Sequence, residues 1–279
     1  MPALLIIIAI YVAPIVDVVR ISLFHKSLFG GIEHFVALDN YTAALQSTDF
    51  QNGLGLTLMW TAGSVIFDVI LGLIVSLILM ERHIVNRIVR PLILLPWVLS
   101  GVVVAYLWRW MLEGNQSPIN VILSVFHLGP YHWLAQPGWA LASVIIANVW
   151  KSIPFTTVMY LAGLSAIPSD LYEAAAIDGA NAWQRFRAVT LPGLQHISAV
   201  LVLLLTIWTV TFFDVVYVMT GGGPIDSTLI LPLLVYKDAF QNLDFGSGSA
   251  VAILLALINA VFLAIYAMAF ERRQTVLEV

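Results

Sequence analysis

The sequence predicts an all-α integral membrane protein with six transmembrane helices, both termini cytoplasmic, in a kinked bundle with a cytoplasmic two-helix loop. Of its 279 residues 61% are hydrophobic and 10% charged, with a mean hydropathy of +0.95, too little polar surface to cover a water-soluble globule. Six apolar stretches, at about 3–24, 53–80, 89–112, 138–163, 194–219 and 248–270, are each long enough to cross a hydrocarbon core of about 30 Å. Cationic residues set the orientation. With both termini inside, the inner segments hold seven arginines (Arg82, Arg87, Arg90, Arg185, Arg187, Arg272 and Arg273), against two lysines outside, Lys26 and Lys237. Arg20, Arg109 and Lys151 lie within or at the ends of spans.

Met1 leads almost directly into apolar sequence with no basic leader or small-residue cleavage site, which predicts a first span rather than a signal peptide. Asp17 and Arg20, one turn apart near its outer end, read as a local snorkelling pair. The outer loops are short and built of Gly, Asp, Asn and Pro turn residues, so residues 1–279 form a single membrane domain. Pro14, Pro91, Pro96 and Pro154 fall inside spans, where each removes a backbone donor; such kinks suit a protein that opens and closes, although membrane helices also simply tolerate proline.

Residues 168–192 form a polar island between two apolar runs. Pro168 blocks the preceding helix, Asp170 is placed to cap a new one with Glu173 three residues on, and Gly179 offers a left-handed stop. Asn181 is placed to cap a second helix, Trp183 to Thr190, that stops before Leu191-Pro192, with Pro192 in the first turn of the next span. Ala174, Ala175 and Ala176 keep the first helix slim, and slimness beside a fixed acid reads as a docking plug rather than a solvated linker.

Glu173-Ala174-Ala175, Asp178-Gly179-Ala180, Phe186 and Leu191-Pro192 stand at the spacing of the EAA loop, and on them the chain resembles the permease subunits of ABC importers, most closely the carbohydrate-uptake (maltose-type) group. The run Phe35 to Tyr41, Trp150-Lys151 with Pro154-Phe155, and Thr220 to Pro224 resemble further segments of that family, so the likeness covers nearly the whole chain. It implies a prokaryotic cytoplasmic membrane, a second permease subunit of similar fold, two ATPase subunits that bind ATP and Mg, and an extracytoplasmic solute-binding protein. It also implies that Glu173, Ala174, Ala175, Asp178, Gly179, Phe186, Leu191 and Pro192 couple to the ATPase, with Glu173 pairing a basic residue there and Gly179 permitting the turn. The bland alternative is a solvated helical hairpin whose Glu173 favours its own helix N-terminus.

The residues exclude other chemistry. The only lysines, Lys26, Lys151 and Lys237, are not preceded by Gly, so there is no phosphate loop and ATP hydrolysis belongs to another chain. Six histidines show no metal-ligand spacing, no Ser-His pattern suggests hydrolysis, and no cysteine is present for disulfides or thiolate sites. No metal site, no cofactor in this chain and no enzyme activity are expected. A net charge of −4 gives no argument for a nucleic-acid partner; the bilayer is the expected surrounding.

For a solute pathway, span five is the most informative. At about 100° per residue, Thr206, Thr209, Phe213, Tyr217 and Thr220 share a stripe with Asp214 at its edge, opposite an apolar Leu205, Trp208, Phe212, Val215 and Met219. Aromatic platforms beside hydroxyls suit a sugar; packing against a neighbouring span is the alternative. Asp68, Lys151 and Asn259 sit at similar depth, so Asp68 and Lys151 are expected to pair near Asn259, with Asn148 on the same pathway. The expected function is half of a translocation pathway for a carbohydrate or polyol-like solute. Open alternatives are a structural half whose partner holds the solute, a permease for a phosphate ester or polyamine, and an ATP-independent secondary transporter.

Overall fold

The computed structural model describes residues 8–26, 33–80 and 91–277; Arg82, Arg87 and Arg90 and the first residues of the first expected span lie outside them. The described residues are mostly helical, and their contacts divide the chain into two compact units. Among the described residues four helices are long and apolar enough to cross a membrane: Thr48–Met80, Pro137–Ala166, Ala182–Thr211 and Phe245–Met268, with Gly101–Leu112 a shorter apolar helix.

The first unit comprises residues through Trp60, Leu134–Leu141 and from Val210 onward. A π turn, Ile8–Val12, leads into α1 (Ala13–Ser22), and a two-residue hairpin pairs Phe24–His25 (β1) antiparallel with His34–Phe35 (β2). Next come α2 (Asp39–Gln46) and α3 (Thr48–Met80), whose first turns belong here. Buried Asn40 locks this corner, its Nδ2 donating to the carbonyls of Ser22 at 2.8 Å and Phe24 at 2.9 Å. The same corner requires Gly246, because a Cβ there would collide with the Phe24 carbonyl oxygen.

The second unit comprises Thr61–Trp133 and Ala142–Thr209. It holds the rest of α3, then α4 (Leu95–Val98), α5 (Gly101–Leu112), α6 (Pro118–Val125), most of α7 (Pro137–Ala166), α8 (Ser169–Ile177), α9 (Ala182–Arg185) and most of α10 (Leu191–Thr211). Its core gathers Val65, Tyr160, Leu164, Leu194, Leu201 and Leu205. Small residues bring backbones together where hydrophobic transfer gives no advantage over lipid: a Cβ on Gly72 would lie 2.5 Å from Thr156 Cγ2, and one on Gly163 2.5 Å from Ile197 Cδ1.

Two expected spans are broken. In the stretch 89–112, α4 ends at Val98 and Ser100 caps α5, its Oγ accepting from Val103 N at 3.3 Å. In 194–219, α10 stops at Thr211 and α11 (Asp214–Thr220) starts afresh. The β-branched and aromatic run Val210-Thr211-Phe212-Phe213 is a poor helix interior, and Asp214 favours a new helix start. The outer segment after α11 is more than a turn. It folds into α12 (Leu231–Tyr236), continued by a π turn, Lys237–Gln241, before α13 (Phe245–Leu277), which packs on α1, α2 and α12.

Leu229, Ile230, Leu231, Leu233 and Leu234 are all buried, and α12 is fastened at its start, where Leu231 N donates to Thr57 Oγ1 at 2.9 Å. Thr57→Val removes the acceptor of a buried amide and should cost about 1–3 kcal/mol. Thermal unfolding of the purified protein in detergent reads this; Thr57→Ser, which keeps the hydroxyl, should restore most of the loss.

Candidate functional site

The loop 168–192 is built as two short helices on a glycine turn. Helix α8 begins at Ser169, with Pro168 in the capping position and no side-chain cap; Asp170 therefore lies inside the first turn and does not cap it. Ser169 Oγ instead approaches Asp170 Oδ1 at 3.4 Å. At the other end Gly179 takes φ +79°, and Ala180 N donates to Ala175 O at 2.9 Å, closing the helix as a left-handed terminus does. Asn181 caps α9 through a full capping box: its Oδ1 accepts from Gln184 N at 2.9 Å while Gln184 Oε1 accepts from Asn181 N at 2.8 Å.

The second helix does not stop before Leu191-Pro192. A π turn, Phe186–Thr190, carries α9 into α10, with Leu191 N donating to Phe186 O. Pro192 lacks the donor for the carbonyl one turn back and crowds it with its ring; the widened turn accommodates both. Tyr172 and Thr190 hydroxyls meet at 3.0 Å and tie α8 to this turn, and Gly193 leaves room for Ile167, whose Cδ1 would lie 2.7 Å from a Cβ.

The surface of this loop is unusual for a polar segment. Glu173, Ala174, Asp178, Gly179, Leu191 and Pro192 are exposed, Ala175 and Phe186 half-buried, and Phe186 stacks on Trp183 at 5.3 Å between centroids. Beside them stand exposed apolar side chains: Leu171, Ile177 at 86% and Trp183 at 68%. Glu173 has no hydrogen-bond or ion-pair partner among the described residues. A carboxylate without a partner on a loop that also exposes apolar side chains can offer another protein one charge-assisted contact beside a hydrophobic surface.

The expected pathway residues divide between the units. In the first unit, Phe213 and Tyr217 stack at 4.8 Å and 19°, and Tyr236 of α12 closes on both, at 5.2 Å and 4.9 Å. Phe240 extends the stack from Tyr236 at 5.4 Å, and the two tyrosine hydroxyls lie 3.3 Å apart. Tyr236 and Phe240 were missed because their segment reads as a loop; the signal was Pro232 in a first turn and an aromatic pair at i, i+4. The neighbouring Lys237 pairs with Asp49 at 3.2 Å, and burial pushes the Asp238 carboxyl above its ordinary value against the donor from Asn242. Asp214 opens α11 in its first turn, and Asn259 Oδ1 is buried with no hydrogen-bond partner among the described residues.

In the second unit, Asp68 is wholly buried and its partner is not Lys151. Ser152 Oγ lies 2.7 and 2.8 Å from the two carboxyl oxygens, and also 2.8 Å from Asn148 O. One hydroxyl hydrogen thus serves several acceptors. Lys151 Nζ donates to Trp97 O at 3.4 Å, and Asn148 and Thr209 are buried. The stripe from Thr206 to Thr220 is not carried by one helix, because α10 ends at Thr211 and α11 starts at Asp214, although its Phe213 and Tyr217 do stack together.

Residues 39–275 match the family described as the inner membrane component of binding-protein-dependent transport systems. The trehalose/maltose transport system permease protein MalF of Thermococcus litoralis is 38% identical over 267 residues, 95% of this chain and 90% of its own. The sulfoquinovosyl glycerol transport system permease protein SmoG of Agrobacterium fabrum is 32% identical over 266 residues, 95% of this chain and 86% of its own. Among solved structures, a bacterial ABC transporter involved in the import of the acidic polysaccharide alginate superposes with a TM-score of 0.85 at 23% identity, over 98% of this chain and 93% of that one, a likeness of fold.

Gly179 is the position where the loop depends on a single backbone conformation. A Cβ there meets nothing within 4 Å, so Gly179→Ala acts through φ alone and should cost roughly 1–2 kcal/mol locally. Faster hydrogen exchange at Gly179 and Ala180, with the exchange of α7 unchanged, is the expected readout.

Proposed function

The chain belongs to the family of binding-protein-dependent transport system inner membrane components, and from that premise we propose that it is the permease subunit of an ATP-binding-cassette importer for a carbohydrate or polyol-like solute. It acts in a prokaryotic cytoplasmic membrane, with both termini and the loop 168–192 on the cytoplasmic side by the seven-to-two charge count. The observation that carries the reading is that loop: an unpaired Glu173 among exposed Leu171, Ile177 and Trp183 on a hairpin fixed by Gly179 and the Asn181 cap.

With no phosphate loop in the chain, the energy enters from outside it. Two ATPase subunits bind ATP and Mg and seat the hairpin, a second permease completes the pathway, and a solute-binding protein delivers the solute on the outer side. The permease itself hydrolyses nothing. Its role is to convert closure of the ATPases into movement of the spans.

On the solute side, the stack of Phe213, Tyr217, Tyr236 and Phe240 supplies what a sugar ring needs, an apolar π face with hydroxyls at its edge. Asp214, Asp68, Asn148, Lys151, Thr209 and Asn259 remain candidates for the polar lining, with Asp68 and Asn148 now joined through Ser152.

Two outcomes are expected. Glu173→Lys should lower ATP-dependent uptake by the assembled transporter by about 30-fold or more, the scale of about 2 kcal/mol for one broken buried charge contact. Circular dichroism of the purified variant should stay unchanged; full uptake would refute the coupling assignment. Tyr236→Ala should raise the solute concentration for half-maximal uptake by about 10-fold, since an aromatic platform supplies on the order of 1 kcal/mol beyond its area. Tyr236→Phe should give a smaller shift.

A further inference from the structure

Helix α6, in the segment between α5 and α7, is pinned on one side and bare on the other. Asn120, buried, is a four-way hub: its Nδ2 donates to Gly114 O and Tyr131 O, both at 3.0 Å, and its Oδ1 accepts from Tyr131 N at 3.1 Å and Trp133 Nε1 at 3.0 Å. Every hydrogen-bonding site of that amide is used, so the orientation of α6 is fixed. The opposite face presents Val121, Ile122, Val125 and Phe126, the last two at 73% and 68% exposure.

That face carries almost no polar group. Its one hydroxyl, Ser124 Oγ, donates back to Val121 O at 2.7 Å. The helix end is closed internally as well: His127 takes φ +57°, Leu128 N and Phe126 N both donate to Leu123 O at 3.0 Å, and His127 N donates to Ser124 O at 3.0 Å. At the start, Ser117 Oγ accepts from Asn120 N at 3.4 Å and Pro118 has no donor to satisfy. No Asp, Glu, Lys or Arg occurs from Gly114 to Trp150.

The position of the water boundary follows from α5. Its exposed Val102, Val103, Tyr106 and Trp110 give way to the paired Arg109 and Glu113, whose Nε and Oε2 lie 2.9 Å apart and which holds the Glu113 carboxyl below its ordinary value. The cap of α6, Ser117, comes four residues later. The tilted pair Tyr131 and Trp133, 5.2 Å between centroids, stands at the base of the same helix, the residue types that favour the headgroup level.

We infer that α6 is an interfacial helix whose Val121, Ile122, Val125 and Phe126 face is seated in the lipid bilayer, at the headgroup–acyl boundary beside the end of α5. Capped ends, a hydroxyl turned back onto its own backbone and an uncharged stretch running out from a lipid-facing span suit the boundary between headgroups and hydrocarbon. A surface made to dock a water-soluble protein carries a polar rim and about one hydrogen bond per 100–200 Å². On the outer face of α6 the one side chain able to make one is Ser124, whose donor is already spent on Val121 O.

The chain contains no cysteine, so single cysteines can be introduced without removing any. Val125→Cys and Ile122→Cys, each labelled with bimane in the complete transporter reconstituted in nanodiscs, should lose most of their emission when the phospholipids carry bromine on their acyl chains. They should be indifferent to aqueous iodide and to added solute-binding protein. Glu113→Cys, on the water side, should show the reverse preference between the two quenchers. Quenching of the α6 labels by iodide, or an environment that changes only when the solute-binding protein is added, overturns the inference. ATP-dependent uptake by the labelled variants is read separately, so either result leaves the permease reading to its own tests.

Discussion

In hydrocarbon a backbone amide or carbonyl without a partner costs several kcal/mol, and the protein must supply that partner itself. The architecture of this chain follows from that constraint. Long helices satisfy it by default. Where a helix is interrupted, a specific group stands in: Ser100 caps α5, Thr57 accepts from the first amide of α12, and the π turn before Pro192 reroutes the Leu191 amide to Phe186. The segment between α11 and α12 shows the same economy. Thr228 donates from its amide to Gly222 O at 3.0 Å and from its hydroxyl to Gly223 O at 2.9 Å, and meets the Thr220 hydroxyl at 2.7 Å.

The same constraint separates what can be read along a chain from what can be read only across it. Caps and turns are local, so the left-handed Gly179 and the Asn181 cap were legible, as were long apolar helices such as α7. Asp170 failed by two residues, because the helix already begins at Ser169 with Pro168 in the capping position. The break after Thr211 was hidden by hydropathy: Phe212 and Phe213 keep the run apolar while weakening it as a helix. Depth alone paired Asp68 with Lys151, but adjacent residues on a helix point about 100° apart, and it is Ser152 that points at the carboxyl. Tyr236 lay beyond reach for another reason, since a partner 19 positions from Tyr217 is brought in only by the tertiary fold.

Function divides along similar lines. The loop 168–192 owes its character to local chemistry, and its exposed Leu171, Ile177 and Trp183 add an apolar rim that no spacing rule had singled out. The aromatic stack is a tertiary product, assembled from α11 and the segment once read as a turn. The proposal gives one feature to a partner and the other to a solute, and neither uses a side chain of the other.

The π turn at Phe186–Thr190 has a mechanical meaning. Because it widens the helix without ending it, Ala182 to Thr211 is a single 30-residue rod, about 45 Å long at 1.5 Å per residue. The other arm of the hairpin, α8, turns back at Gly179 and is tied to that rod by the contact of the Tyr172 and Thr190 hydroxyls at 3.0 Å. The two arms of the hairpin are therefore joined at both ends, by the glycine turn and by that contact. A load on either arm is borne by the same rod, because the base of the hairpin is closed at Thr190 and its tip by the turn at Gly179.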